Sequence, residues 1–242
     1  MSNAVQWTRS LIFNAQMYVA MLVVGILYTP AAIWSREGAI AACHAYCRYI
    51  RWSAAWMIGL KCEIRGTPPT DEVMVAPKHQ SFLDVLMIYG AMPRGKFIFK
   101  AILKYAPIIG QFGLRIGCIP VDRGKRGQAI KKMVADVKAG RALPGQLIIY
   151  PQGTRIAPGV KAPYKIGTGA LYRELEQPVV PVATNVGVFW PKRGIMRRQG
   201  TAVFEFLPRI EPGLDVSDFM ARLEHDIETA SDRLNKEAGF DG

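Results

Sequence analysis

The apolar positions at the amino end of this 242-residue chain form two long stretches. Leu11 to Trp34 contains 24 residues without a charge, whereas Gly38 to Leu60 carries His44, Arg48 and Arg51 at helical spacing. An uncharged segment of that length can cross a hydrocarbon core of about 30 Å. An apolar helix with cations along one side is typical of a membrane interface. The amino end is therefore predicted to be a helical membrane anchor.

Two forms of this anchor stay open. Pro30 lacks the amide hydrogen that a helix interior needs, so it is predicted to break the first helix. The anchor is then either one spanning helix followed by a surface helix, or a helical hairpin that dips into one leaflet. A cleaved signal peptide fits poorly, because the apolar stretch is too long for one.

Beyond residue 60, short apolar runs alternate with longer segments of helical period. The predicted strands cover residues 62–65, 73–76, 97–100, 116–121, 147–150, 179–185 and 201–207, and the predicted helices cover 82–91, 128–139, 167–176 and 216–236. This alternation is typical of an α/β fold with a mostly parallel sheet flanked by helices. We predict an anchor over residues 1–60 and one α/β domain over residues 61–242.

A histidine and an aspartate separated by four residues, His79 and Asp84, lie where a predicted strand passes into a predicted helix. In a continuous helix such residues point about 140° apart, so their side chains would not meet. They meet if His79 lies in the loop and Asp84 lies in the first helical turn. The carboxylate would then hold one imidazole nitrogen and leave the other nitrogen free to accept a proton. The pair is a candidate general base with its orienting acid.

Two further predicted strands end in segments that carry arginines, Arg123 and Arg155. The carboxyl ends of parallel strands gather at one edge of a sheet, where His79 is also expected. A guanidinium can grip a phosphate with two parallel hydrogen bonds. Backbone amides near Gly153 and the hydroxyl of Thr154 can add to that grip. These residues are candidate ligands of a phosphorylated substrate.

Lysine and arginine outnumber aspartate and glutamate by 31 to 19, which gives a net charge of +12. Such a balance favours a polyanionic partner. No helix-turn-helix, zinc-finger or RNA-binding signature occurs, so nucleic acid is not predicted as a partner. Cations near a membrane each attract the anionic leaflet by about 1 kcal/mol, so a phospholipid bilayer is the expected partner. No Cys-x-x-Cys or Cys/His cluster occurs, so neither a metal nor another cofactor is predicted.

The ordered segments that contain His79 and Asp84, Arg123, Arg155, and the strand at 179–184 resemble the four signature blocks of the lysophosphatidic acid acyltransferases. The resemblance covers residues 73–184. It implies transfer of a fatty acyl group from acyl carrier protein or coenzyme A, as a thioester co-substrate, to the sn-2 hydroxyl of 1-acyl-glycerol-3-phosphate, giving phosphatidic acid. It further implies a two-helix anchor, which favours the hairpin.

The resemblance also implies roles and a location. His79 is the expected general base, and the arginine blocks are expected to recognise the glycerol phosphate. The expected location is a bacterial inner membrane, with the active site on the cytoplasmic face, where the enzyme has access to thioester donors.

Two positions depart from the family pattern. Lys78 stands where an asparagine usually precedes the histidine, and Gln152 stands where the third block usually has a glutamate. Gln152 keeps an acceptor oxygen but loses the negative charge. It is counted as a candidate substrate-binding residue, and the acceptor stays open: lysophosphatidic acid, or another lysolipid such as a lyso-ornithine lipid.

Three other hypotheses about function or mechanism stay open. No Gly-x-Ser-x-Gly elbow occurs, so direct transfer is favoured over an acyl-serine route, for which Ser81 would be the candidate. A thioester hydrolase would differ only in that water reaches His79. A membrane lipid-binding protein without turnover would have no need of both His79 and Asp84.

Overall fold

A computed structural model describes residues 3–121, 131, 134–135 and 144–240. Its amino-terminal part is a hairpin of two helices, α1 (Asn3–Trp34) and α2 (Arg36–Ile58), joined at Ser35. The Ser35 hydroxyl accepts a hydrogen bond from the Gly38 amide at 3.0 Å and so caps α2. At Gly38 a Cβ would lie 2.2 Å from the Ala31 carbonyl oxygen, so only glycine permits this tight corner.

The prediction that Pro30 breaks the first helix is wrong. Pro30 lies inside α1, which continues to Trp34. A proline removes one helical hydrogen bond, and a helix that packs along a second helix tolerates that loss. The helix ends where the Ser35 backbone turns to an extended conformation, φ −143° and ψ 158°.

The two helices of the hairpin run antiparallel and contact each other through polar and apolar side chains. The Tyr49 hydroxyl donates to Gln16 at 2.7 Å, and the Tyr46 hydroxyl donates to the Met17 carbonyl at 3.2 Å. α1 is the one described helix long and apolar enough to cross a membrane, and only 22% of its most apolar window is buried. Large apolar side chains such as Leu27, 70% exposed, cover its outer face.

In the described part of the chain, seven strands form one sheet with the order β1-β7-β6-β2-β5-β3-β4. The strands are β1 (Leu60–Arg65), β2 (Met74–Pro77), β3 (Lys96–Lys100), β4 (Ile119–Val121), β5 (Leu147–Ile148), β6 (Val179–Thr184) and β7 (Gly200–Phe206). All neighbouring pairs are parallel except β6 and β7. The predicted mostly parallel sheet flanked by helices is confirmed.

The helices with described bounds that follow the hairpin are α3 (Leu83–Gly90), α4 (Ile109–Arg115), α5 (Gly167–Leu175), α6 (Val186–Phe189) and α7 (Val216–Glu237), with a 3-10 helix at Ala101–Tyr105. The 3-10 helix, α4 and α6 were not predicted. The strand predicted from residue 116 begins only at Ile119, because the backbone amides of residues 116–118 bond to carbonyls at the end of α4. The helix predicted at 128–139 lies largely outside the described residues.

β2 lies at the centre of the sheet and separates two apolar cores. Val73 and Val75 pack in a core shared with α2 and α3, whereas Met74 and Ala76 pack in a core with α7 residues such as Ile227. Successive side chains of a strand point to opposite faces of a sheet, which explains this alternation. It also decides which way the next two residues, Lys78 and His79, point.

Candidate active site

The side chains of His79 and Asp84 meet at the carboxyl end of β2. Nδ1 of His79 donates to Asp84 Oδ1 at 2.9 Å, and Asp84 Oδ2 lies 3.2 Å from the same nitrogen. His79 lies in the loop after β2, and Asp84 lies in the first turn of α3. The predicted loop-and-turn geometry is thus present. Because a carboxylate only accepts hydrogen bonds, Nδ1 carries the proton and Nε2 presents a lone pair.

The Asp84 carboxylate is held on both of its oxygens. Oδ2 accepts from the backbone amides of Gln80 and Ser81, each at 2.8 Å, and the side chain is fully buried. These bonds fix the carboxylate before any substrate binds. They also occupy two of the amides that would otherwise serve as oxyanion donors near His79.

The His79 imidazole stacks on one aromatic ring, that of Tyr150, which was not predicted to be part of the site. The rings of His79 and Tyr150 stack with centroids 4.0 Å apart and planes 26° apart. Burial raises the pKa of Tyr150 well above its ordinary value, and the charge of Asp84 raises it further, so the hydroxyl stays protonated. The ring face therefore supports the imidazole without supplying a charge. Tyr150 stands directly before Pro151, but nothing in the sequence pairs it with His79.

The turn after β5 contacts the His79 loop directly. The Ile156 amide donates to the His79 carbonyl at 2.8 Å, and the Gly153 amide closes the turn on the Tyr150 carbonyl at 2.9 Å. Gly153 has φ +66°, a conformation that favours glycine. The backbone amide of Gly153 is therefore already used inside the turn. This contact brings the predicted residues Gln152 to Arg155 next to the histidine.

Gln152 and Arg155 differ in their surroundings. Gln152 is 2% exposed, its amide nitrogen donates weakly to the Ala162 carbonyl at 3.4 Å, and its Oε1 has no hydrogen-bond partner among the described residues. Arg155 is half-buried, and its guanidinium has no carboxylate partner in the described part of the chain. A buried unpaired acceptor and an unpaired cation are both suited to a polar ligand.

Further cations surround Arg155. Lys192 Nζ donates to the Arg155 carbonyl at 2.9 Å and lies 3.4 Å from the Thr154 hydroxyl. Arg197 lies over the Trp190 ring at 4.6 Å and is 8% exposed. Burial lowers the pKa of Arg197 to about 10, and the charge of Arg155 contributes to the same direction. Neither Lys192 nor Arg197 belongs to the segments from which substrate binding was predicted.

The remaining predicted residues fall in three places. Arg123 lies outside the described residues. Ser81 is fully buried, and its hydroxyl accepts from the Leu83 amide at 3.3 Å, so it serves the start of α3 and is not presented to a substrate. Lys78 points to the opposite face of the sheet, where its Nζ contacts Glu228 at 2.5 and 2.6 Å. Two open surface hollows, one at Asp232 and one at Gln6, are not lined by His79.

Comparison with known proteins gives a consistent family assignment. A family model described as Acyltransferase matches residues 61–185, which is just over half of the chain. That range contains the His79 loop, the Arg155 turn, the strands β2 to β6 and all of β1 except Leu60.

Curated relatives carry one common name. The 1-acyl-sn-glycerol-3-phosphate acyltransferase of Pseudomonas aeruginosa is 28% identical over 158 residues, which cover 64% of this chain and 62% of that protein. The enzyme of the same name from Limnanthes alba is 27% identical, with 71% and 63% covered. The human 1-acyl-sn-glycerol-3-phosphate acyltransferase alpha is 28% identical, with 72% and 65% covered. The chain thus spans less than two thirds of the length of each of these relatives.

One solved structure matches almost the whole fold. The 1-acyl-sn-glycerophosphate acyltransferase PlsC from Thermotoga maritima superposes with a TM-score of 0.79 over 97% of this chain and 99% of that one. The sequence identity of 17% makes this a likeness of fold. The likeness extends over the helical hairpin as well as the α/β sheet.

Proposed function

The chain belongs to the acyltransferase family, and we propose that it transfers a fatty acyl group from an acyl thioester to the sn-2 hydroxyl of 1-acyl-glycerol-3-phosphate. The product is phosphatidic acid. The observation that carries the proposal is the buried, doubly held Asp84 carboxylate that fixes the His79 ring beside the Arg155 turn. The names of the curated relatives support the same acceptor.

In the proposed reaction, His79 acts as the general base. Nε2 takes the hydroxyl proton while the hydroxyl oxygen attacks the thioester carbonyl carbon. Asp84 holds the imidazole in the tautomer that leaves Nε2 free and stabilises the imidazolium that forms. The tetrahedral intermediate then collapses, its carbon–sulfur bond breaks, and the imidazolium returns the proton to the leaving thiolate. No acyl-serine is needed, and the buried Ser81 hydroxyl is bonded elsewhere.

The acceptor phosphate binds at the cations of the Arg155 turn. The Arg155 guanidinium offers two parallel donors, and Lys192 places a second positive charge against the Thr154 hydroxyl. Arg123, which resemblance assigns to the same task, is proposed as a further ligand. Burial is the main cause of the lowered pKa of Arg197, and the charge of Arg155 lowers that pKa further because the two cations repel each other. A phosphate monoester would relieve that repulsion.

The helical hairpin anchors the domain at a membrane surface. Both ends of α1 are bonded to the α/β domain: Gln6 donates to the Arg197 carbonyl at 2.7 Å, and Arg115 donates to the Ile33 carbonyl at 2.5 Å. A helix tied to one domain at both ends lies along that domain. This favours a hairpin that dips into one leaflet over a single perpendicular span. Residues 1–60 are thus proposed as anchor and residues 61–242 as the catalytic domain.

A second acceptor class is favoured by one residue. The Gln152 amide oxygen is buried and has no hydrogen-bond partner among the described residues. A neutral amide can accept from an ammonium or amide donor as readily as from a hydroxyl. A lyso-ornithine lipid, which has no phosphate, presents such donors. It would leave Arg155 and Lys192 without their ligand, so the phosphate-bearing acceptor is the first choice.

The test is an acceptor panel with purified full-length protein in phospholipid vesicles. Labelled acyl-coenzyme A and acyl carrier protein thioesters are each combined with lysophosphatidate, lyso-ornithine lipid or no acceptor. Phosphatidic acid as the main labelled product supports the proposal. Acylated ornithine lipid alone would select the second acceptor, and free fatty acid in every reaction would identify a hydrolase.

A further inference from the structure

Lys78 is a buried cation on the face of the sheet opposite to His79. Its side chain is 3% exposed, and both carboxylate oxygens of Glu228 accept from Nζ, at 2.6 and 2.5 Å. A buried charge is costly unless it is paired. The pairing therefore fixes the Lys78 side chain, and with it the backbone at the start of the His79 loop. The Lys78 amide is held as well, since it donates to the Val182 carbonyl at 2.8 Å.

Glu228 is bonded to a second segment at the same time. It lies on α7, and its Oε1 accepts from the Tyr164 hydroxyl at 2.8 Å. The next residue, Lys165, donates its amide to the Pro151 carbonyl at 2.9 Å. Tyr164 and Lys165 therefore connect Glu228 to the turn that leads to Arg155.

These contacts close a ring around the sheet edge. Ile156, which follows Arg155, donates its amide to the His79 carbonyl, so the two loops that Glu228 holds also touch each other. Removal of the Lys78 or the Tyr164 side chain opens the ring at one point, and removal of the Glu228 side chain opens it at two. Among the described residues, none of Lys78, Tyr164 and Glu228 forms a hydrogen bond or ion pair with the His79 ring or the Asp84 carboxylate.

We propose that Lys78, Glu228 and Tyr164 are positioning residues. From the opposite face of the sheet, they fix the distance between the His79 loop and the Arg155 turn. Because acyl transfer needs the base and the bound acceptor phosphate at a set distance, the inference rests on the proposed function. Displacement of a catalytic group by about 1 Å can lower a rate about 100-fold. Partial loosening of the ring is expected to act on turnover and to leave ground-state binding unchanged.

Two single variants and their combination test the ring in the full-length protein in vesicles. Lys78→Met removes the cation and nearly preserves length, and the 27% exposed Glu228 keeps its bond to Tyr164. Tyr164→Phe removes one hydroxyl. Each is expected to lower kcat about three- to tenfold with both KM values within about twofold of wild type. The double variant should lose little more than the worse single, because both break the same ring.

Arg209→Met is the matched control. Arg209 and Asp71 form an exposed pair at 2.6 Å that joins no catalytic loop, so this variant should keep the wild-type kcat. Hydrogen–deuterium exchange adds a readout that does not need activity. The amides of Gln80, Ser81 and Ile156 should exchange about tenfold faster in the two ring variants and unchanged in the control.

The outcomes separate this inference from the proposed function. Wild-type kcat and wild-type exchange in both ring variants would overturn the inference, and so would losses of kcat that simply multiply in the double variant. If the wild type acylates no lysolipid, the proposed function fails. In that case faster exchange at the three amides would still establish the ring, and unchanged exchange would overturn it as well.

Discussion

Two neighbouring residues, Lys78 and His79, each pair with a carboxylate, but on opposite faces of the sheet and with opposite results. His79 pairs with a buried Asp84 that accepts two more backbone bonds, and one imidazole nitrogen stays free. Lys78 pairs with Glu228, which is shared with Tyr164, and the lysine is sealed from solvent. One pair keeps a group available for chemistry, whereas the other uses its charges to hold the backbone. Breaking the first pair should therefore lower turnover far more than stability, whereas breaking the second should lower stability and reduce kcat only modestly.

Asp84→Asn is expected to have the largest effect on turnover. The asparagine oxygen can accept from the Gln80 and Ser81 amides, which turns its NH2 group towards His79 Nδ1 and forces the proton to Nε2. The base is then lost, and kcat should fall about 100- to 10,000-fold while the protein stays folded. The measurement is steady-state acyl transfer, with Asp226→Asn on α7 as control. Turnover within a factor of a few of wild type would contradict the orienting role.

Glu228→Gln breaks the other pair and should act on stability. It leaves the Lys78 cation buried without a counter-charge, which should lower the free energy of unfolding by about 2–4 kcal/mol, less than for a fully buried pair because Glu228 is 27% exposed. Asp71→Asn, in the exposed pair with Arg209, should cost less than about 1 kcal/mol. Thermal unfolding in detergent compares the two variants. Equal losses would show that the Lys78 pair is no more than a surface contact.

Arg155→Ala extends the comparison to substrate binding. Loss of a hydrogen bond to a charged group is worth about 1.5–3 kcal/mol, so KM for lysophosphatidate should rise roughly 10- to 100-fold. Arg173→Ala, at an exposed position, is the control and should leave KM for lysophosphatidate unchanged. For an acceptor without phosphate, KM should be the same in the wild type and in Arg155→Ala. An unchanged KM for lysophosphatidate would remove Arg155 from the phosphate site.

Tyr150 variants give the smallest effect and sharpen the role of the stacked ring. Tyr150→Leu removes an aromatic face from beside a developing imidazolium and should lower kcat roughly three- to tenfold. Tyr150→Phe keeps the face and should stay within about twofold. Because burial raises the pKa of Tyr150, its hydroxyl stays protonated through pH 10, so Tyr150→Phe should leave the alkaline side of the pH–rate profile unchanged. A shift there would mean that the hydroxyl titrates.

The sequence was informative where the decisive contacts are local. The His79–Asp84 contact follows from a loop entering a helix within six residues, and the alternating pattern predicted the mostly parallel sheet. The sequence did not predict the contact between Lys78 and Glu228, because these residues lie 150 positions apart and only the packing of α7 brings them together. The prediction at Pro30 was wrong because helix propensity is local, whereas the partner helix that sustains α1 is a tertiary contact.

The segment between β3 and β4 was missed for a related reason. Residues 101–115 form a 3-10 helix followed by α4. No helix was predicted there, because Pro107, Gly110 and Gly113 interrupt the helical period. The Arg155 turn was located from its motif, but its contact with the His79 carbonyl needed the fold. The role of Arg123 stays a prediction, since this residue lies outside the described part of the chain.

The most direct test of the account is acyl transfer by wild type and by His79→Ala, assayed side by side in vesicles with labelled acyl thioester and lysophosphatidate. We expect the wild type to form phosphatidic acid and His79→Ala to form it at least about 1,000 times more slowly, with the thermal midpoint of the variant unchanged. Phosphatidic acid formation by His79→Ala at the wild-type rate would contradict the assignment of His79 as the base.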